Sequence, residues 1–67
     1  MKVCYDKLWK LLIDKKMKKT DLIRDAKISS NVLAKMGKEQ SVSLQSIGKI
    51  CSRYGCNVDD IIEFQPQ

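Results

Sequence analysis

Between Lys19 and Lys38 the chain reads KTDLIRDAKISSNVLAKMGK, two short helix-like patterns separated by a break too tight to be a linker. Leu22, Ile23 and Ala26 supply an apolar stripe in the first half. Val32, Leu33 and Met36 recur at three- and four-residue spacing in the second. Two helices joined this closely must share one core, and that requirement organises the rest of the chain. Ser29 and Ser30 stand where the second pattern begins, and a serine hydroxyl there can accept a bond from an otherwise orphan backbone N–H. A helix over Ser30–Met36 follows. Its solvent-facing residues would be Ser30, Asn31, Ala34 and Lys35, which are small, neutral or basic, without a carboxylate among them.

The flanking segments read as support. Tyr5 to Lys16 carries Tyr5, Leu8, Trp9 and Leu12 on one face, with Leu11 and Ile13 widening it and Trp9 as a core anchor. Lys15 and Lys16 complement the dipole at its end and need no ligand. Lys18 and Lys19 differ, because they lie near the start of the next helix, where positive charge is mildly unfavourable and only Asp21 offsets it. Free N–H groups at a helix start beside lysines suit a phosphate oxygen, the competing reading being a solvated basic loop.

Gly37 to Ser43 lacks periodicity and reads as a loop, after which Ser43 can cap a fourth helix with Leu44, Ile47, Ile50, Cys51 and Tyr54 as its apolar stripe. Gly55 is placed to stop it in a left-handed conformation. Asn57 can cap a last short turn containing Val58, Ile61 and Ile62, with Asp59 and Asp60 where the dipole favours acids. Adjacent Ile61 and Ile62 cannot both point inward, so one of them, or Phe64, is left for another surface, and all three are candidates for a dimer interface. Residues 1–4 and 65–67 read as frayed tails. The only strand candidates are the Val3 and Phe64 regions, which could pair weakly within one chain or across two.

A chain of 67 residues makes one domain, here 1–67, and buries a smaller share of its surface than an average domain. No apolar run approaches the roughly 20 residues of a membrane span, and MKVCYDKLWK is no secretory signal, so the expected location is the cytoplasm. The formal net charge is +5 and unevenly spread. Ala26 to Lys38 contains no Asp or Glu, while Asp59, Asp60 and Glu63 crowd the far end, so a polyanion would meet the middle. With Cys4, Cys51 and Cys56 but no His, a zinc site would need carboxylates or a second chain, and the odd count argues against a closed disulfide framework. Cys51 and Cys56 read as small buried hydrophobes, with redox sensing or a shared metal as the alternative.

Four or five short helices with a tight helix-turn-helix at the second and third resemble the Cro/repressor-type family, also called xenobiotic-response-element-like. The resemblance covers Tyr5 to Ile62. It is carried by Leu22 and Ile23, the turn Ala26-Lys27-Ile28-Ser29, Leu33 and Met36, then Leu44, Ile47, Ile50, Tyr54, Gly55 and Ile61. Small stand-alone members that begin Tyr-x-x-Leu-Trp-x-Leu-Leu are the most similar, as Tyr5, Leu8, Trp9, Leu11 and Leu12 do here. The resemblance implies an all-α, lambda-repressor-like domain of four to five helices with its recognition helix, Ser30 to Met36, in the major groove. It implies base contacts at Ser30, Asn31, Val32 and Lys35, and backbone contacts at Ser29, Lys19 and Lys38, to which the charge argument adds Lys18. The turn position often filled by Gly is Lys27, which asks only that the backbone there tolerate a non-Gly residue. Gly37 and Glu39 replace the family's usual Glu and Gly after the third helix.

The expected function is therefore sequence-specific binding of double-stranded DNA in transcription regulation. Asn31 can pair bidentately with adenine, and Lys35 can reach the acceptors of guanine. A dimer would place two recognition helices in successive major grooves. The alternative from another class is a protein-interaction module of antitoxin or antirepressor type. The absence of His, of a Gly-rich phosphate loop and of paired carboxylates with a nucleophile argues against an enzyme. No cofactor, small-molecule substrate or membrane partner is expected.

Overall fold

A computed structural model describes residues 2–66. The chain runs β1 (Lys2–Cys4), α1 (Asp6–Asp14), α2 (Asp21–Asp25), α3 (Ser30–Gly37), α4 (Leu44–Tyr54), a single 3-10 turn (Val58–Asp60) and β2 (Glu63–Gln65). The two strands pair antiparallel, with Lys2 opposite Gln65, Val3 opposite Phe64 and Cys4 opposite Glu63.

This pairing corrects two expectations. The fold is helical but not all-α, and residues 2–4 and 65 are not frayed, because Val3 and Cys4 are buried and the ladder satisfies their backbone groups. Met1 and Gln67, the outermost residues of the expected tails, lie outside the described residues. Opposite residues of an antiparallel pair share one face. Val3 thus lies against the core while Phe64, 59% exposed, stands at its rim.

Tyr5, Leu8 and Leu12 from α1, Leu22 from α2, Met36 from α3, Ile47 and Ile50 from α4, and Ile61 form the core. Each large apolar side chain removed from water there contributes roughly 1.5–3 kcal/mol. Trp9, Val32, Leu33, Cys51, Tyr54 and Ile62 pack around it, half-buried. The apolar stripes of α1 and α4 are narrower than expected. Ile13, expected to widen the core face, is 71% exposed, and Leu44 is 78% exposed. Each lies at one end of its helix, beyond the neighbours that could cover it.

Helix ends explain the tightness of the connections. Ser29 and Ser43 accept bonds from the N–H groups of Val32 and Ser46, both 3.2 Å, capping α3 and α4. At the other ends the chain turns through left-handed residues: Lys16, Lys27, Glu39 and Gly55, with φ of 58°, 58°, 57° and 64°. After α1 the Met17 N–H reaches the Leu12 carbonyl at 2.8 Å, and after α3 the Gln40 N–H reaches that of Lys35 at 2.9 Å. These are Schellman closures, which commonly carry glycine at the left-handed position. Only α4 has one there.

Candidate nucleic-acid interface

The segment before α2 is a turn in which Asp21 N–H donates to the Lys18 carbonyl at 3.0 Å. Asp21 Oδ2 in return accepts the Lys18 N–H at 2.9 Å, and its Oδ1 accepts Arg24 at 3.2 Å. The Asp21 carboxylate thus occupies the Lys18 N–H in the turn ahead of α2, so the expectation of free N–H groups awaiting a phosphate fails at Lys18. What remains there is charge on side chains. Lys18 and Lys19 are both exposed, and the Lys19 ammonium sits over the Trp9 ring, 4.5 Å from its centroid. A cation held on an aromatic face keeps its full charge while losing part of its rotamer freedom in advance.

The turn from α2 to α3 buries Ala26 and Ile28 and leaves Lys27 exposed between them. Between them the chain turns through the left-handed backbone at Lys27. The residue in the position often held by Gly therefore does adopt the conformation that favours Gly, contrary to the milder demand read from the sequence.

Along α3, Met36 is fully buried and Val32 and Leu33 pack half-buried against the core. Ser30, Asn31, Ala34 and Lys35 are exposed, and spacings of one, three and four residues put them on one outward side. Val32, expected at a base-contact position, offers only the part of its side chain that the core leaves open. Ser29 Oγ accepts the Val32 N–H, which leaves its own O–H free to donate.

The helix runs one residue beyond Met36, through Gly37, and ends at Lys38. Gly37 is not the stop; Glu39 makes the left-handed turn instead, and its carboxylate pairs with Lys2 at 3.5 Å. The Tyr5 hydroxyl donates to the Gln40 carbonyl at 2.6 Å, pinning the exit of α3 to the buried start of α1. Lys38 is exposed beside that pinned exit.

The carboxylates of α2 are all engaged elsewhere. Asp25 accepts Arg53 at 3.0 Å and the Tyr54 hydroxyl at 2.9 Å, tying the end of α2 to the end of α4. The Arg53 and then the Tyr54 hydrogen bond hold the Asp25 carboxyl below the usual carboxylate range. Burial and the bond to Asp25 push Tyr54 up to about 12. Among the described residues no ion pair engages Lys18, Lys19, Lys27, Lys35 or Lys38. The open side of the helix-turn-helix is therefore a cationic surface without a counter-charge of its own.

The sequence gave no contact role to Lys27, Lys49 or Arg53, which the fold brings to one shallow groove between the turn and α4, with Asp25 and Gly48 in its wall. Lys49 and Arg53 stand one turn apart on α4, but Lys27 lies more than twenty residues before them, so no local spacing joins it to the pair. Of the three apolar candidates at the far end, Ile61 is wholly buried and is removed from any interface; Ile62 is half-buried and Phe64 is open. Half-buried Trp9 and exposed Ile13 and Glu63 line a second shallow groove beside them. Among the described residues no three His, Cys, Asp or Glu side chains converge as a metal site, and no helix is long and apolar enough to cross a membrane.

Comparison with known proteins bears on this surface directly. A family model described as a Cro/C1-type HTH DNA-binding domain matches residues 7–67. The crystal structure of the transcriptional regulator VanUg, form II, superposes with a TM-score of 0.93 at 45% identity, covering 98% of this chain and 88% of that one. No curated protein matches the chain.

Proposed function

The chain belongs to the Cro/C1-type helix-turn-helix family and binds DNA as a transcriptional regulator, and we propose that it does so by laying α3 in the major groove of a duplex. The observation that carries this is the exposed, acid-free side of α3. Asn31 and Lys35, one turn apart, read base edges there, with Ser30 and the open part of Val32 beside them. Ser29, Lys18, Lys19 and Lys38 flank the helix and hold the phosphates that fix its register.

An Asn31→Ala or Lys35→Ala variant loses roughly 5- to 150-fold in affinity for the selected site, the equivalent of about 1–3 kcal/mol per base contact. Neither residue is buried, so the melting temperature stays put. Selection of bound sequences from random duplex DNA, followed by mobility shifts of both variants, tests the proposal. Unchanged affinity in both would move the reading to a protein-interaction module of antitoxin or antirepressor type that keeps the fold.

Each protomer measures 32 × 23 × 19 Å, so one copy covers about one helical turn. We place a second copy on an inverted repeat with recognition helices about 34 Å apart, contacting the first through Phe64 and Ile62. Sedimentation at high concentration, with and without the selected duplex, gives a dimer on this reading. A monomer under both conditions removes it. A regulator that meets DNA works where the chromosome is, in the cytoplasm, and no reaction is assigned to it.

A further inference from the structure

Two thiols meet at the end of α4. The helix stops at Gly55, in the left-handed conformation, and the Cys56 N–H then reaches back to the Cys51 carbonyl at 3.1 Å. That is the six-to-one bond of a Schellman closure, a geometry that brings the side chain after the left-handed residue onto the side chain five positions earlier. Elsewhere that contact is commonly a hydrophobic pair. Here it is two cysteines, both half-buried at the edge of the core and both unpaired, rather than the buried hydrophobes the sequence suggested. The third thiol, Cys4, is only 3% exposed.

We propose that Cys51 and Cys56 are a reversible modification site, a dithiol that closes into an intrachain disulfide across the end of α4 by exchange with a low-molecular-weight disulfide. The Cys56 thiolate attacks one sulfur of the external disulfide and releases one small thiol, leaving a mixed disulfide on Cys56. Cys51 then loses its proton and attacks the Cys56 sulfur, releasing the second small thiol. Two protein thiols are oxidised, one external disulfide is reduced to two thiols, and the two cysteine protons end on the leaving groups. Burial and the adjacent Cys56 push the Cys51 thiol up, so less of it is thiolate at neutral pH and the second step becomes faster as pH rises.

The position gives the bond a structural consequence. Arg53 and Tyr54, the two side chains that hold Asp25 and with it the end of α2, lie inside the loop that the disulfide closes. Closing that loop restricts the unfolded chain and fixes the segment carrying both anchors.

The test uses the full chain, folded, in buffers poised with oxidised and reduced glutathione. Free thiols are trapped by alkylation and mapped by peptide mass spectrometry. The expected result is an intrachain Cys51–Cys56 bond with Cys4 still free, formed faster at pH 8.5 than at 7 and reversed by excess reduced glutathione. Tm should rise by roughly 5 °C or more on oxidation. That rise should vanish in Cys51→Ser and in Cys56→Ser; if either variant fails to fold, the wild-type peptide map decides alone. Persistent mixed disulfides, links only between chains, or a Cys4 that reacts as fast as the other two, which would mean that oxidation requires unfolding, would each overturn the proposal.

Discussion

Lys27 occupies a backbone position better suited to glycine, and the consequence can be calculated. Its φ of 58° places Cβ close to the following carbonyl, at a cost of about 1–2 kcal/mol for a residue other than glycine. Glycine there removes that crowding but carries about 0.5–1 kcal/mol of additional unfolded-state freedom. Lys27→Gly is therefore expected to stabilise the fold by about 0.75 kcal/mol at the middle of those ranges, and by no more than about 1.5 kcal/mol. Lys27→Ala keeps Cβ and the crowding, so it should stay within about 0.5 kcal/mol of the parent, as exposed substitutions do. For a domain of this length 1 kcal/mol moves Tm by about 4–8 °C, so the glycine variant should melt roughly 3–6 °C above the alanine variant. Thermal and urea denaturation of the three proteins at one pH and salt concentration measures it. Both variants lose the same charge, so their difference is free of electrostatic change in a chain of net charge +5. A glycine variant melting at or below the alanine variant would refute the argument. If the Lys27 ammonium also contacts phosphate, both variants lower the salt slope of DNA binding equally.

Further outcomes follow from the same contacts. Lys19→Ala should weaken binding to all duplexes alike and reduce the slope of log K against log salt by about 0.9, since one phosphate contact is lost; an unchanged slope would show that Lys19 stays on Trp9 and off the DNA. Tyr5→Phe should cost about 0.5–1.5 kcal/mol in urea denaturation by releasing the Gln40 carbonyl, and should loosen the exit of α3, read as faster amide exchange from Gly37 to Gln40. Stability should also depend on pH at both extremes. Asp25 is held below its usual value, so its contribution is present above the ordinary carboxylate range and fades as pH falls through the folded value. Tyr54 is raised to about 12 from 10, so its contribution is complete below pH 10 and is lost between 10 and 12. A Tyr54→Phe variant should flatten the alkaline limb while leaving most of the acid limb, which Arg53 sustains.

What the sequence by itself determined lies within one turn of helix. The stripe of Val32, Leu33 and Met36 against the open Ser30, Asn31, Ala34 and Lys35 is a matter of three- and four-residue spacing. The Ser29 and Ser43 caps and the Gly55 stop are likewise contacts between near neighbours, and all are found where the pattern put them. Tertiary structure decided which parts of each stripe are covered. Ile13 and Leu44 have the right spacing for the core but no element over them, whereas Ile61 is taken fully inward and leaves Phe64 outside. The β1–β2 pair joins segments at opposite ends of the chain, each three residues long and too short to show a period of two. The fold likewise gave Asp25 its partners on α4 and set Lys19 on Trp9. Local periodicity reports which residues a helix would offer to a neighbour; only the packed arrangement determines whether a neighbour is there.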